Sequence, residues 1–229
     1  MPFSRLASRS RPVSRTARII IATIVALLGC IGLVCGLYSG VLFPMIFNLE
    51  TERVRSLEPS SFVVIEDGVP GREVLIEGEL SARNPISPEG FIAYTRSERV
   101  VADNGNRTWR EVASVYPPLL VDLRGGIVQV RDGYRLSGVL ESVQRGGARF
   151  AGLRPGDVVL VVGTMVEGRQ GIEVQPDLVF AGSREEYFAE NATTVLIFRS
   201  LGWIVGGCGA AMAAVGLALA VRFARARGA

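Results

Sequence analysis

Two long apolar stretches bracket a middle segment whose hydrophobic positions recur in short, turn-punctuated runs. Residues 19–47 open with 24 uncharged positions, 19–42, and residues 201–221 supply 21 more. A hydrocarbon core of roughly 30 Å needs about 20 apolar residues of helix. Each stretch is therefore predicted to cross a bilayer. From Phe62 the pattern shortens, and residues 62–65, 72–80, 91–98, 108–115, 119–122, 126–130, 157–166 and 172–174 read as strands. Asp67-Gly68, Pro70-Gly71, Pro88-Glu89-Gly90, Asn104-Gly105, Gly125-Gly126, Asp132-Gly133, Gly146-Gly147, Pro155-Gly156 and Gly168 punctuate them. Asn104-Gly105 is the clearest hairpin signal, because primed turns need the positive φ that Asn and Gly tolerate. The fold expected is an all-β domain, a small OB-like barrel or a sandwich, carried between two transmembrane α-helices.

Charge assigns sides to that plan. All 22 acidic residues lie between Glu50 and Glu190. Outside the apolar stretches stand Arg5, Arg9, Arg11, Arg15 and Arg18, and then Arg222, Arg225 and Arg227. The formal charge of +3 comes from these tails, because the middle holds 17 arginines against its 22 acids, a net of −5. Cytoplasmic flanks of membrane helices collect arginine and lysine. The expected organisation is a disordered basic cytoplasmic tail over 1–18, a first span over 19–47 and an extracytoplasmic β-rich domain over 48–198. A second span over 199–221 and a basic tail over 222–229 complete it, in a bacterial inner membrane. A cleaved signal peptide is the competing reading of the first stretch. Its apolar core normally runs about 7–15 residues, and Leu42-Phe43-Pro44 is a poor cleavage site. The lipid bilayer is the first expected partner, with tail arginines resting on anionic lipid at about 1 kcal/mol each. Nucleic acid is not expected, since a domain of net −5 repels phosphates.

The inventory of side chains removes whole reaction classes. The chain has no histidine, its 25 basic residues are all arginine, and Cys30, Cys35 and Cys208 fall inside the apolar stretches. Relays with a histidine base, Schiff-base lysines, phosphate-loop lysines and histidine or cysteine zinc sites all lack their atoms. Carboxylates remain: Glu66 with Asp67, Glu77 with Glu79, Asp122, and Glu185 with Glu186. A hydrolase acting on envelope glycans would need two of them roughly 5–10 Å apart across a cleft, and Glu77, Glu79 and Asp122 are the candidates. On an antiparallel sheet such positions are ordinarily the solvated face. The expectation is no enzyme, no metal and no cofactor.

Three motifs remain. Gly32, Gly36 and Gly40 share one face of the first stretch, and Gly202 and Gly206 repeat that spacing in the second. Such faces let helix backbones approach, within the hairpin, between copies or with another membrane protein. Ser183-Arg184-Glu185-Glu186 fits a capping box, opening a helix that runs into the second span. Gly152 to Gly163, through Pro155-Gly156-Asp157, reads as a turn feeding a barrel strand. Its alternative is the Gly-Asp turn of a PDZ-like domain that captures peptides at a sheet edge and serves an envelope protease or secretion system.

Val74-Leu75-Ile76-Glu77-Gly78-Glu79-Leu80, Asn84-Pro85-Ile86-Ser87-Pro88, Phe91-Ile92-Ala93-Tyr94-Thr95-Arg96, Trp109 and Val121-Asp122-Leu123-Arg124-Gly125 together resemble the GIDE-type family. Its domain is also called "beside a membrane" (BAM). The resemblance covers about a quarter of the chain and implies a domain held between two membrane helices beyond the cytosol. Gly78, Pro88, Tyr94, Trp109, Asp122 and Gly125 are the family-motif positions, read as structural. Eukaryotic members of that family are mitochondrial ubiquitin ligases whose activity belongs to a RING after the second helix. No cysteine or histidine follows Arg222 here, so the resemblance implies the anchor and domain and not the ligase, as in a RING-less bacterial-like member. The expected function is ligand sensing, scaffolding or partner binding by a non-catalytic domain.

Overall fold

The computed structural model describes residues 14–101, 105–168 and 171–225. The tail at 1–13 with Arg5, Arg9 and Arg11, Asn104 of the expected hairpin turn, and Arg227 lie outside the described residues. The chain divides into two compact units, Met1–Asn48 with Thr193–Ala229, and Leu49–Ala192.

The first unit is helical. Helix α1 spans Arg15–Leu37, and Ser14 caps it by accepting a bond from the Ala17 N–H at 3.3 Å. Residues 15–18, expected in the disordered tail, are therefore helical; Ser14 is a favourable N-cap that a search for apolar onset passes over. A five-residue π-helical turn, Tyr38–Leu42, links α1 to α2, Phe43–Ser56. Pro44 explains the turn. Its missing N–H and its ring oppose an ordinary i−4 bond, and directly before it the Phe43 N–H reaches back to the Tyr38 carbonyl, a π-type register. The other long helix, numbered α4 below, is Arg184–Arg225. Two helical segments, Thr16–Ser56 and Arg184–Arg225, are long and apolar enough to cross a membrane.

The second unit is mostly β. A short helix α3, Phe62–Glu66, precedes β1 Glu73–Leu80, β2 Ala93–Val101, β3 Arg107–Val115, β4 Leu119–Leu123 and β5 Gly126–Val130. There follow β6 Leu136–Gly138, β7 Glu141–Arg145, β8 Ala148–Leu153, β9 Val158–Glu167 and β10 Ile172–Ala181, and then α4. Strands β1, β4, β5, β10 and β9 close into a five-stranded barrel. All its neighbours are antiparallel except β5 with β10, which meet in parallel at Val130 and Val174. Strand β6 adds to β10 in parallel. A separate antiparallel sheet, ordered β3-β2-β8-β7, is inserted between the barrel strands in sequence.

Burial follows the alternation of side chains along each strand. Val74, Ile76, Leu80, Val121, Val128, Val130, Val159, Val161, Met165 and Val174 fill the barrel. The opposite faces of β1, β9 and β10 contribute Leu75, Leu160, Val162 and Phe180 to a second cluster, with Val54 of α2 and Tyr187 of α4. Strand β9 is covered on both sides, which is why its sequence is nearly continuous in valine and leucine. The capping box forms as expected: the Ser183 N–H donates to Glu186 Oε2 at 2.7 Å, and the Glu186 N–H to Ser183 Oγ at 3.2 Å.

Residues 62–65 depart from expectation. They form the helix α3, which sends Ile65 into the barrel core and sets the Phe62 ring where a Cβ on Gly126 would lie, 2.6 Å away. Four β-branched or aromatic residues alone do not distinguish a strand from one helical turn. Strands β6, β7 and β8 are additions to the expected set. The sequences of β6 and β7 carry few apolar residues and β7 is largely exposed, whereas β8 is short but buries Ala148, Phe150 and Leu153.

Candidate binding surfaces

In the helical unit the glycines set the approach of α1 to α4. A Cβ on Gly36 would stand 2.3 Å from the Gly206 Cα and N, and one on Gly202 would stand 2.3 Å from the Gly40 Cα and N. At Gly29 it would lie 2.3 Å from the Ala213 N, at Gly209 2.4 Å from the Leu33 N, and at Gly216 2.5 Å from the Ala26 N. Gly32, Gly40 and Gly206 are roomier, with nearest atoms at 3.2, 3.3 and 3.5 Å. The tightest positions, Gly29 and Gly36 on one helix and Gly202, Gly209 and Gly216 on the other, are all seven residues apart. That is the spacing of a coiled-coil seam. Sequence reading singled out the i+4 set and left Gly29, Gly209 and Gly216 aside; the seven-residue interval was the signal available.

The remaining family-motif residues separate by role. On β1, Gly78 pairs with Val159, and a Cβ there would meet the Asp122 carbonyl oxygen at 2.6 Å. Gly125 turns β4 into β5 at φ +108°, where a side chain would be strained. Pro88 lies in the connection from β1 to β2, within the turn whose Gly90 N–H donates to the Ser87 carbonyl. The same connection holds Asn84, which is buried. Its Nδ2 donates to the Ser81 and Leu120 carbonyls at 2.9 and 2.7 Å, and its Oδ1 accepts from the Leu120 N–H at 2.7 Å. On the inserted sheet, Tyr94 packs on Phe91 and Phe150.

The carboxylates do not converge on a cleft. Glu79 faces Asp122 across β1 and β4, and both are exposed on the outer barrel surface. Glu77 accepts a bond from the Arg184 N–H at 3.3 Å, and the Arg184 guanidinium in turn holds the Arg55 and Leu57 carbonyls at 2.9 and 3.0 Å. An open depression of about 560 Å³ is edged by Glu141, Asp157, Glu186 and Glu190. Three of these are already engaged: Glu141 with Arg154, Asp157 with the Arg154 N–H, and Glu186 with the Ser183 N–H. Among the described residues no group of three or more acidic or cysteine side chains is arranged to hold a metal ion. Inside the barrel, Tyr134 donates its hydroxyl to the Pro117 carbonyl at 2.7 Å, and burial raises its pKa well above the usual tyrosine range. Asp157 ties the turn into β9, which is flanked by β1 and β10 and offers no free edge.

Among the described residues, β6 ends the barrel sheet, β7 ends one side of the inserted sheet, and the longest free edge is that of β3. Its nine residues are all exposed, it pairs with β2 on one side, and it ends the sheet order. Ala113 pairs with Arg96 and Glu111 with Ser97, so Val112 is an extra, bulged residue, 47% exposed. Register and alternation place Arg99, Arg107, Trp109 and Arg149 on one face of the sheet, and Arg96, Arg110 and Arg145 on the other. The Arg99 guanidinium carbon lies 5.8 Å from the centre of the Trp109 ring, within cation–π range. Strands β2, β3, β7 and β8 together hold six arginines and three glutamates. The inserted sheet is thus basic inside a domain whose net charge is negative.

No protein-family model matches the chain, and no curated protein does. A solved structure with similarity is the second OB-fold domain of replication protein A from Methanococcus maripaludis. It is 16% identical over 51% of this chain and 90% of that one, with a TM-score of 0.25. The expected exclusion of nucleic acid is withdrawn. The charge argument behind the exclusion fails, because a net of −5 averages an acidic barrel with a basic sheet.

Proposed function

We propose that this chain is a two-span protein of the bacterial cytoplasmic membrane that binds a partner along the free edge of β3, without catalysis. Both termini are cytoplasmic in this reading, and the β domain stands on the extracytoplasmic side. The two apolar helices and the arginine-only flanks support the topology. The GIDE-type resemblance supports an anchored domain in that compartment, with no ligase activity assigned to it.

One observation carries the binding role: nine consecutive residues of β3 are exposed beside an unpaired sheet edge. An open edge presents a row of main-chain donors and acceptors to another strand, and strand addition is an established mode of peptide capture. A PDZ-like accessory of an envelope protease or secretion system would use the same chemistry, with β3 in place of the turn before β9.

A photo-reactive amino acid at Val112, compared with one at Val139 on the loop after β6, tests this in growing cells. Val139 is 85% exposed and so is at least as accessible. Adducts of discrete mass from position 112 and none from 139 are the expected result. Equal adducts from both positions, or none from 112, would contradict the binding role of β3.

A further inference from the structure

We infer that the partner strand is an acidic, extended polypeptide segment, bound beside β3 with carboxylates on both of its faces. This deepens the proposal above and rests on β3 being the docking edge. A strand added to β3 continues the pleat, so its successive side chains point alternately to the two faces of the sheet. Each face then meets an arginine of β3 itself, Arg107 on one and Arg110 on the other. Behind these stand Arg99 with Trp109, and Arg96. Among the described residues Arg107 and Arg110 form no ion pair; the nearest cross-strand acid, Glu98 opposite Arg110, is held by Arg96.

Charge also selects against the nearest rival. A second copy pairing edge to edge through β3 would join two strands of net positive charge, each bringing Arg107 and Arg110 against a single acid, Glu111. Charged side chains at a sheet edge commonly serve to block such self-pairing. They also discriminate among partners, because like charges across an interface are costly and opposite charges speed encounter. The exposed Trp109, Val112 and Val115 beside them supply the apolar contact that blocking alone does not require.

The test uses the full chain in nanodiscs of neutral lipid, with Trp203→Phe so that Trp109 is the sole tryptophan reporter. Three probes are titrated: a nine-residue peptide of three Thr-Glu-Glu repeats, which places carboxylates on both faces of an extended strand, its Thr-Lys-Lys counterpart, and an oligothymidylate of matching length. The Glu peptide should give saturable fluorescence change, weakened about tenfold or more by Arg107→Glu with Arg110→Glu and by raised salt. Hydrogen exchange at β3 amides should slow on its addition, while β1 and β9 exchange as in wild type in every variant. Arg107→Gln with Arg110→Gln should show an intermediate loss. Absent or charge-indifferent peptide binding would overturn the inference, and so would preferential binding of the oligothymidylate. If photo-adducts still form from Val112 in that event, the docking edge stands and only the acidic character of its partner falls.

Discussion

Gly36→Ala and Gly202→Ala are each expected to destabilise the helical hairpin by up to about 2 kcal/mol net, while Gly206→Ala and Gly207→Ala are tolerated or stabilising. The asymmetry follows from space. An added Cβ at 36 or 202 enters the facing backbone at 2.3 Å, and backbone cannot swing aside as a flexible side chain does. Overpacking a well-packed contact costs about 1–3 kcal/mol, against which alanine gains about 1 kcal/mol of helix propensity over glycine. At 206 the nearest atom is 3.5 Å away, ordinary contact, and at 207 nothing lies within 4 Å. Only the propensity gain then remains. Gly36→Leu should separate the helices altogether, since lipid gives no hydrophobic drive to hold an ill-fitting pair together. Reversible unfolding in mixed micelles measures the series. Equal losses at 36 and 206 would show that the seam is not where the glycines place it.

The second large effect is expected at Asn84. Truncation to Ala removes two donors and an acceptor and takes from the Leu120 N–H the Oδ1 it bonds, while the Ser81 and Leu120 carbonyls keep the bonds they accept from the Asn84 and Ser81 N–H groups. Unsatisfied buried groups cost about 1–3 kcal/mol each where no water reaches them. A loss of about 1–3 kcal/mol is therefore predicted for Asn84→Ala. Asn84→Asp should be worse at neutral pH, because a carboxylate would face the Ser81 and Leu120 carbonyls that the amide now bonds. Protonation restores one donor, so the stability of Asn84→Asp should rise as pH falls through its raised carboxyl pKa. Urea unfolding of the full chain in micelles, followed by hydrogen exchange at β1 and β4 amides, reads both. A change below about 0.5 kcal/mol for Asn84→Ala would contradict this role.

The membrane-length helices and most barrel strands were legible because their periodicity is strong. Residues 19–42 are uninterrupted, and β1, β4, β5 and β9 alternate or run apolar between glycine turns. What escaped the sequence was the consequence of partial burial. Strands β7 and β8 flank Gly146-Gly147, which was read as a turn; β7 is polar and largely exposed, and β8 breaks its buried Ala148, Phe150 and Leu153 with Arg149 and Gly152. The second half of β10 was lost at Pro176, where the pairing with β9 shifts between Pro176 and Leu178. A proline ordinarily ends a central strand, and here a bulge accommodates it. Net charge misled for a related reason. The sign of a surface depends on which residues the topology collects, and the six arginines of the inserted sheet come from four strands spread over residues 93–153.

The proposed topology is a membrane hairpin with its β domain on the far side of the bilayer from both termini. Labelling by a membrane-impermeant maleimide in intact cells tests it most directly, in a background where Cys30, Cys35 and Cys208 are alanine. Val139→Cys should react from outside, and Ser8→Cys only after the cells are permeabilised. Labelling of Ser8→Cys and not Val139→Cys in intact cells would contradict the account.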